Sequence, residues 1–386
     1  MAQINGVRTT KTITQDRRIV DMAKQIALLD PNEAPFITIL KNIKETRTVI
    51  NPEFKWLEDE LTAEYTEVAT AISSASTTTL AVDDGSIFRP GDIIKVGAEN
   101  MLVTAISSNN LTVVRGYGTT AAQAAIAVDT GVYIIGNANM ENAGARDAMS
   151  TQEVAVTNYT QIFKTPIQLS NTEAASDLYG GADRAYQRRK ALIEHKRDIC
   201  RSIYFGEKKE DTSGTAVRRT MAGLFALIGA ANTVTFASSG GTALSYKSFD
   251  QYAALPAFSH GSKEKLLIAG PKLIAAINSW RLDNTKVDEV GTDKTWGVQV
   301  SKLVTSYGIM DVVFEPMFTG GLADLGLVLD MDNIRYVALK GRDTKLETNI
   351  QANDVDGVID QYLTECSVEC KQPKTHMIIK GAYYPS

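Results

Sequence analysis

The chain contains few cysteines and lacks any long apolar run. It has three cysteines in 386 residues, too few for a disulfide framework, which makes a reducing cytoplasm the simplest place of synthesis. No run of about eighteen apolar residues occurs, the length that a membrane-spanning helix needs. Residues 1–30 hold no continuous apolar segment of the kind found in a signal peptide. We therefore expect neither a disulfide-rich secreted protein nor a membrane protein.

Positive charge is also in short supply. The formal net charge is −5 and the pI is near 5.5, with 22% charged and 44% hydrophobic residues. This composition is typical of a soluble globular protein. It argues against a dedicated nucleic-acid binder, which would concentrate basic residues on one face. The length is sufficient for two or three domains with sizeable cores.

The residue combinations that carry enzyme chemistry are missing as well. The three histidines, His195, His260 and His376, lie in unlike contexts. No Ser/His/Asp, Cys/His or HExxH arrangement is visible in the sequence. The adjacent acids at 58–60 could supply acid–base carboxylates, but neighbouring acids in a polar segment are usually only solvated. We expect no catalytic residue and no enzyme activity.

Candidate metal and ligand motifs also fail. On one strand, Cys366 and Cys370 would lie about 13 Å apart at about 3.3 Å per residue, whereas a disulfide needs Cα atoms within about 7 Å. Zinc would need further ligands, and only His376 is nearby. Residues 354–357 resemble a calcium loop that fails at its first and twelfth positions, and residues 116–118 lack a following phosphate-binding helix. We expect the cysteines to be buried small apolar side chains, with no metal and no cofactor.

The first forty residues predict a helix, a break and an arm. Ile19, Met22, Ile26 and Leu29 recur at helical spacing, so residues 16–29 are predicted to form an amphipathic helix. Pro31 ends it, and Pro35 is expected to hold the following chain extended. The apolar strip at 36–40 then has no obvious core of its own. We expect it to be buried against another subunit.

A β-rich block interrupts a predicted long hairpin. Residues 73–137 alternate short strand-like runs with turn signals, which predicts a small barrel or sandwich inserted between two halves of another fold. Residues 47–57 and 153–170 are predicted to be the ascending and descending limbs of the hairpin around this block.

A long amphipathic helix is predicted from about Asp183 to Phe205. An apolar stripe is formed by Tyr186, Leu192, Ile193, Ile199, Cys200 and Ile203. The opposite face is crowded with charges, among them Arg188 and Arg189. This face is either a solvated surface with mixed ion pairs or a contact with a neighbouring subunit.

The rest of the chain predicts loops, a mixed α/β domain and a final strand. Residues 208–245 are loop-rich, with a polar stretch at 208–215 and a short apolar element at 221–230, and residues 246–330 alternate helices with short buried strands. Apolar and polar residues alternate from Tyr362 to Lys371, which predicts a half-buried strand.

The order of these segments resembles the tailed-bacteriophage major capsid proteins of the Hong Kong 97-type fold. It is most similar to a subfamily with a β-rich insertion in its extended loop. The residues that carry the resemblance are the proline-bracketed segment 30–36, Trp56 with Asp59, the hairpin followed directly by a long helix, Gly270-Pro271, Tyr307-Gly308, Pro316-Met317 and Leu329-Asp330-Met331. The resemblance implies an α+β fold divided as follows: an N-terminal arm at 1–46, an extended loop at 47–170 with the inserted domain at 73–137, a peripheral domain with the spine helix at 171–245, an axial domain at 246–330, and C-terminal strands of the peripheral domain at 331–386.

The resemblance also implies a function. We expect a major capsid protein that self-assembles through hexamers and pentamers into an icosahedral head enclosing double-stranded DNA, found in the virion and assembled in the host cytoplasm. Expected partners are other copies of the chain, with separate scaffold, portal and decoration proteins and only non-specific contact with DNA. No membrane is involved. The expected contacts between subunits are made by Phe36, Ile37, Ile39, Leu40, Trp56, Arg188 and Arg189.

Three alternatives stay open. An encapsulin-like nanocompartment shell would hold an enzyme cargo instead of DNA. A multidomain hydrolase with a carbohydrate-binding β module would be active as a monomer. Another virion part, such as a tail or decoration protein, would rarely combine an arm, a hairpin, a spine helix and an axial-type domain in one chain.

Overall fold

The structure is a computed structural model, and it describes residues 35–43, 46–142, 144–176, 183–236, 244–283, 294–295, 298–299 and 301–381. The helices are α1 (Pro35–Ile43), α2 (Asn171–Ala174), α3 (Asp183–Phe205), α4 (Leu224–Ile228), α5 (Tyr246–Phe249), α6 (Leu255–Phe258) and α7 (Pro271–Asp283). A π-helical turn, Asp250–Ala254, joins α5 to α6.

The strands are numbered in chain order. In the first half they are β1 (Arg47–Val49), β2 (Glu53–Glu58), β3 (Tyr65–Glu67), β4 (Thr79–Ala81), β5 (Asp92–Val96), β6 (Glu99–Ser107), β7 (Asn110–Val114), β8 (Gly131–Asn137), β9 (Val154–Tyr159) and β10 (Gln161–Ser170). In the second half they are β11 (Lys209–Asp211), β12 (Arg218–Thr220), β13 (Thr233–Thr235), β14 (Glu264–Ala269), β15 (Lys294–Thr295), β16 (Val298–Gln299), β17 (Ser301–Val304), β18 (Ile309–Phe314), β19 (Gly326–Leu329), β20 (Ile334–Leu339), β21 (Lys345–Glu347), β22 (Gly357–Cys370) and β23 (Met377–Lys380).

The chain forms two compact units, one of Met1–Trp56 with Val156–Ser386 and one of Leu57–Ala155. In the first unit, the sheet that packs against α3 has the order β1-β20-β22-β10, with β21 also paired to β22. We call it the spine sheet. Its central strand, β22, pairs antiparallel with β10 from Gln161 opposite Cys366 to Ser170 opposite Gly357.

The long helix α3 has the predicted bounds, Asp183–Phe205. Its buried residues are Ala191, Ile193, His195, Ile199, Cys200, Ile203 and Tyr204. Tyr186 and Leu192, expected on the buried stripe, are only partly buried. The difference arises because α3 lies over a sheet, so its buried face is set by what the sheet presents, including Thr165 and Thr364 opposite His195.

The strand predicted at 362–371 is more deeply buried than expected. Every residue of β22 from Tyr362 to Cys370 is buried, on both faces. The prediction of a half-buried strand was wrong because the carboxylates on the second face are paired instead of solvated. Glu365 accepts hydrogen bonds from Thr160 and Arg342, and Glu369 is paired with Arg47 and Lys371.

A second sheet of the first unit has the order β13-β23-β19-β14-β18-β17, and we call it the mixed sheet. Its central strand β14 pairs parallel with β18 and antiparallel with β19. Helix α7 begins at Pro271, as expected from the preference of proline for a first helical turn. The mixed sheet also includes β13 and β23, which lie outside the predicted axial segment at 246–330. The last strand, β23, was expected with the C-terminal strands of the peripheral domain, but it pairs in the mixed sheet.

The second unit is a closed sheet of the order β3-β8-β5-β6-β7-β4. Its edges are joined by a bridge between Val68 and Val82, and the Asp83 N–H donates to the Glu67 carbonyl at 3.0 Å. The predicted β-rich block is therefore a small barrel. It begins at Tyr65, earlier than the expected 73, because β3 is needed to close it. Its interior is apolar, with Leu80, Ile94, Met101 and Leu111 fully buried.

The arm prediction was wrong in conformation. Residues 36–40, expected to be extended, lie in helix α1, because proline fits the first turn of a helix better than it enforces an extended chain there. Phe36, Ile37 and Leu40 then fall on the face of α1 that joins the core of the first unit. The helix predicted at 16–29 lies outside the described residues.

Two further expectations are corrected. The predicted hairpin limbs pair only over β2 and β9. They separate at the hydrogen bond from the Thr160 N–H to the Pro52 carbonyl, because β1 and β10 leave to join the spine sheet. The polar segment after residue 208, expected to be a loop, forms the β11–β12 hairpin. The cysteine prediction is confirmed, since Cys200, Cys366 and Cys370 are buried.

Candidate assembly surfaces

The apolar residues expected to contact other subunits lie in the chain's own core. Phe36 is 1% exposed and its ring lies 5.2 Å from that of Tyr204 on α3. Ile37 and Leu40 are buried in the same core, and Ile39 packs against it. Buried side chains of this kind have almost no apolar area left for a second copy, so these residues stabilise the subunit itself. Contact with a second copy at these positions stays a prediction.

Trp56 on β2 also lies inside the subunit. It is buried beside Phe54, with the two ring centroids 5.9 Å apart, and both pack against Val49 and Val337. The side chain therefore fixes the base of the β2–β9 ribbon onto the spine sheet. A contact of Trp56 with a neighbouring subunit also stays a prediction.

A cation anchors the end of α1. The Lys41 ammonium donates to Asp343 at 3.2 Å and lies 4.3 Å from the centre of the Tyr336 ring. The Tyr336 hydroxyl donates to the same carboxylate at 3.1 Å. Burial alone would raise the pKa of Asp343, but hydrogen bonds from the Thr344 N–H and Lys41 hold it below its usual value.

Arg188 is paired with a carboxylate of its own chain. The Asp360 carboxylate, 1% exposed, accepts hydrogen bonds from Arg184 at 2.7 and 2.8 Å and from Arg188 at 2.9 Å. The backbone N–H of Asn349 donates to it as well. The Arg184 hydrogen bonds lead the causes that lower the pKa of Asp360 far below its usual value. Arg188 therefore joins α3 to the spine sheet, whereas Arg189 is exposed.

The outer face of α3 is basic. We define the basic face as Arg189, Lys190, Lys196, Arg197 and Arg201. Two carboxylates lie among them, with Glu194 at 3.9 Å from Lys190 and Asp198 at 3.2 Å from Arg201. Exposed pairs of this kind contribute little to stability. The outer face of α3 therefore carries mixed charge with an excess of basic residues.

The second unit exposes apolar side chains that the sequence reasoning missed. Leu61 is 96% exposed and Met140 is 88% exposed. Leu57 on β2 and Val154 on β9 are also exposed. The alternation of β2 was the available signal, because Phe54 and Trp56 on one face leave Leu57 on the other.

The barrel carries an apolar stripe on its outside. Leu102 on β6 lies directly opposite Ile93 on β5 and Val114 on β7. Tyr133 on β8 lies opposite Tyr65 on β3, and their ring centroids are 4.9 Å apart. We call Ile93, Leu102 and Val114 the barrel stripe. Tyr65 and Tyr133 form a separate pair, because Tyr133 lies opposite Lys95 on β5. Exposed apolar residues that lie together on a soluble domain often mark an interaction surface.

A buried polar cluster lies where the chain crosses between the two sheets. Residues 330–333 lead from β19 to β20, and residues 371–376 lead from β22 to β23. The Asp330 N–H donates to His376 Nδ1 at 3.0 Å, and His376 Nε2 lies 3.1 Å from the Lys371 carbonyl. The Lys265 ammonium donates to the Thr375 carbonyl at 2.6 Å and lies 3.8 Å from Asp330. We call Lys265, Asp330 and His376 the junction cluster.

Burial dominates the titration of this cluster. It lowers the pKa of Lys265 and, with the nearby Lys265 charge, holds the pKa of His376 at about 4. Because Nδ1 of His376 accepts a hydrogen bond, the neutral ring with a proton on Nε2 is the form that fits. The cluster is structural, since each member is bonded to the backbone of a neighbouring segment.

Within the described part of the chain, no group of three or more His, Cys, Asp or Glu side chains could hold a metal ion. No helix there is long and apolar enough to cross a membrane.

A solved capsid shows the same fold. The capsid subunit of a native GTA particle aligns with a TM-score of 0.51 over 97% of this chain and 98% of its own length, at 10% identity. An encapsulin of Synechococcus elongatus aligns with a TM-score of 0.41 over 62% of this chain and 80% of its own length, at 11% identity. The fold is that of the Hong Kong 97-type capsid subunits.

Sequence comparison then gives the family. A major capsid protein of Pseudomonas phage PaMx41 is 28% identical over 211 residues, which cover 54% of this chain and 50% of that protein. The chain thus spans about half the length of the curated relative it matches. The model of the SU10 major capsid protein family matches residues 4–383. The chain belongs to this family of major capsid proteins.

Proposed function

We propose that this chain is the shell subunit that self-assembles into the icosahedral head of a tailed bacteriophage enclosing double-stranded DNA. The observation that carries the proposal is the family match, which runs through both units of the chain. Its role is structural instead of catalytic. In the shell the chain contacts other copies of itself within hexamers and pentamers. Its further partners are separate scaffold, portal and decoration proteins.

The exposed apolar residues of the second unit support contacts between copies. Leu57, Leu61, Met140 and Val154 face solvent in the single chain. Covering such side chains contributes about 25 cal/mol for each Å² of apolar surface. Each contact is modest, but symmetry repeats it around closed rings and across the shell. Assembly then needs no single strong site.

Electron microscopy of the purified recombinant chain tests the proposal. We expect closed shells of uniform size. A chain that remains monomeric by size-exclusion chromatography at high concentration, with or without co-expressed scaffold, would contradict it. The content of shells purified from infected cells separates a DNA-filled head from a protein-filled nanocompartment.

The exposed residues can be tested separately. Leu57→Ser with Leu61→Ser should lower the yield of shells, while Val128→Ser, which changes an exposed valine in the loop before β8, should not. All three changes lie at exposed positions, so the unassembled chains should melt at the same temperature. Equal shell yields for both variants would remove these residues from the proposed contacts.

A further inference from the structure

One buried carboxyl group of the first unit has no cation beside it. Glu315, which directly follows β18, is fully buried. Its Oε2 accepts a hydrogen bond from the Tyr204 hydroxyl at 2.6 Å, and its Oε1 accepts a longer one from the Met317 N–H at 3.4 Å. Burial raises the pKa of Glu315. The two hydrogen bonds oppose this rise, and no positive charge of the described residues adds to them.

The other buried carboxylates of the described residues are each paired with a cation. The pairs are Asp92 with Arg146, Glu99 with Arg115, Asp330 with Lys265, Asp360 with Arg184, Glu365 with Arg342 and Glu369 with Arg47. Burying a charge without such a partner costs so much free energy that the group tends to become neutral instead. The surroundings of Glu315 therefore favour the neutral acid.

Three segments of the first unit meet at this carboxyl group. Tyr204 belongs to the last turn of α3, and Glu315 and Phe318 belong to the turn after β18. The Phe36 ring of α1 stacks on the Tyr204 ring with 5.2 Å between their centroids, and the Phe318 ring lies 5.0 Å from the same ring. We call Phe36, Tyr204, Glu315 and Phe318 the latch. Its single polar contact between segments is the one that Glu315 makes with Tyr204.

The titratable groups that face Glu315 are Tyr204 and Cys200, both on α3. Burial raises the pKa of each well above its usual value, so both stay neutral where a carboxyl group titrates. A cation, Arg201, acts on Cys200 but not on Glu315. The face of α1 that packs here is apolar. A charge on Glu315 would therefore be stabilised only by its two hydrogen bonds.

We propose that Glu315 makes the latch respond to protons, holding α1 on α3 while the carboxyl group is neutral and releasing α1 when it ionises. Water must reach the carboxylate to solvate it, and the packed rings must then separate. Below pH 4.5, the usual pKa of a glutamate, the group is neutral whether α1 is docked or released, so docking has its full stability. As the pH rises through the higher pKa of the docked form, that stability is lost progressively.

The element that is released should be α1. It has nine residues, and a helix of that length is marginal in water without packing. It packs on the core through Phe36, Ile37 and Leu40. By contrast, α3 has 23 residues and lies over the spine sheet, and the turn at 315–319 is held between β18 and β19. Local opening begins in the elements with the smallest packed area.

Hydrogen exchange measured by mass spectrometry on the unassembled full chain tests the proposal. Glu315→Gln keeps the size of the side chain and an oxygen for the Tyr204 hydroxyl, but it cannot ionise. The matched control, Glu264→Gln, removes one charge at an exposed position on β14. Each pH unit above the pKa of the docked form favours the released form by about tenfold. Protection of the α1 amides is corrected for the intrinsic pH dependence of exchange.

Between about pH 5 and about pH 9, we expect α1 protection to fall by about tenfold or more in the unchanged chain and in Glu264→Gln, and by less than about twofold in Glu315→Gln. Protection of α1 that is independent of pH in the unchanged chain would overturn the proposal, and this measurement needs no variant. So would an equal fall in Glu315→Gln. A loss of protection spread equally over α1, α3 and the mixed sheet would exclude release of α1 as the response.

Tyr204→Phe provides a second test with a predicted direction. The Tyr204 hydroxyl favours the charged form of Glu315, so its removal should raise the pKa of Glu315 further and shift the fall in α1 protection to higher pH. A purely structural hydrogen bond would instead weaken protection equally at every pH, and that result would contradict the latch.

The latch acts within one chain and does not depend on assembly. A chain that forms no shells would contradict the proposed function and leave the latch intact. Protection of α1 that does not respond to pH would remove the latch and leave the proposed function intact.

Discussion

The junction cluster makes the stability of the subunit depend on pH in a way that one residue controls. His376 is fully buried, and its ring accepts the Asp330 N–H on Nδ1. Protonation would remove this acceptor and place a second cation near Lys265. The charges that act on His376 are those of Lys265 and Asp330.

The size and sign of the effect follow from the pKa. Burial, with help from Lys265, lowers the pKa of His376 from 6.5 to about 4. A difference of about 2.5 pH units corresponds to about 3 kcal/mol of unfolding free energy. Above about pH 6.5 the ring is neutral in both the folded and the unfolded chain, and this contribution of His376 to the unfolding free energy is fully present. As the pH falls toward about 4, the unfolded chain binds the proton first, so the stabilisation is lost across that window.

The assay compares the unchanged chain with His376→Asn. Asparagine can accept the Asp330 N–H but does not titrate, so this variant should be less stable at neutral pH and should lose about 3 kcal/mol less between about pH 6.5 and pH 4. Urea unfolding of the unassembled chain at several pH values gives both curves, and all other titrating groups cancel in the difference.

Histidine NMR measures the same quantity directly. The chain has three histidines, and the variant assigns the resonance of His376 by its disappearance. Parallel pH curves for the two proteins, or a His376 resonance that titrates near 6.5, would refute the reasoning.

Three further predictions concern the subunit and its surfaces. Phe36→Ala should destabilise the unassembled chain by about 3–5 kcal/mol in urea unfolding, because its ring lies in the core; a loss below about 1 kcal/mol would contradict the burial of this side chain. Asp360→Ala should cost about 3 kcal/mol, since it leaves two arginines unpaired, while Arg189→Ala should change stability by less than about 0.5 kcal/mol; equal effects would contradict the assigned pairing. Val114→Cys in the barrel stripe should react with a maleimide in the free chain and be protected in assembled shells, whereas Ala75→Cys should react in both; equal labelling of Val114→Cys in both states would exclude the stripe from contacts between copies.

Long elements with a clear period were predictable. The bounds of α3 follow from its apolar stripe, and the start of α7 follows from Pro271. The barrel was predictable as a β-rich block, but its first strand was not, because three residues at β3 carry no period long enough to detect. Their place is set by pairing with β8, more than sixty residues later.

Local rules failed where partners come from distant segments. The apolar strip at 36–40 looked like an arm without a core, because Tyr204 and Phe318, which join the same core, are far away in sequence. Charged residues were misjudged for the same reason. Nothing near Arg188 shows that Asp360 will accept its hydrogen bond, so its side chain could not be distinguished from that of Arg189.

The sequence by itself determined the order of the elements, the separate β-rich block and the concentration of basic residues around α3. These features depend on spacing and composition, which are local. Only the tertiary structure decided that α1 lies inside the subunit, that β22 is buried on both faces, and that His376 must be neutral. The physical reason is that burial and ion pairing depend on contacts between residues hundreds of positions apart, such as Arg47 with Glu369, and no local pattern encodes those contacts.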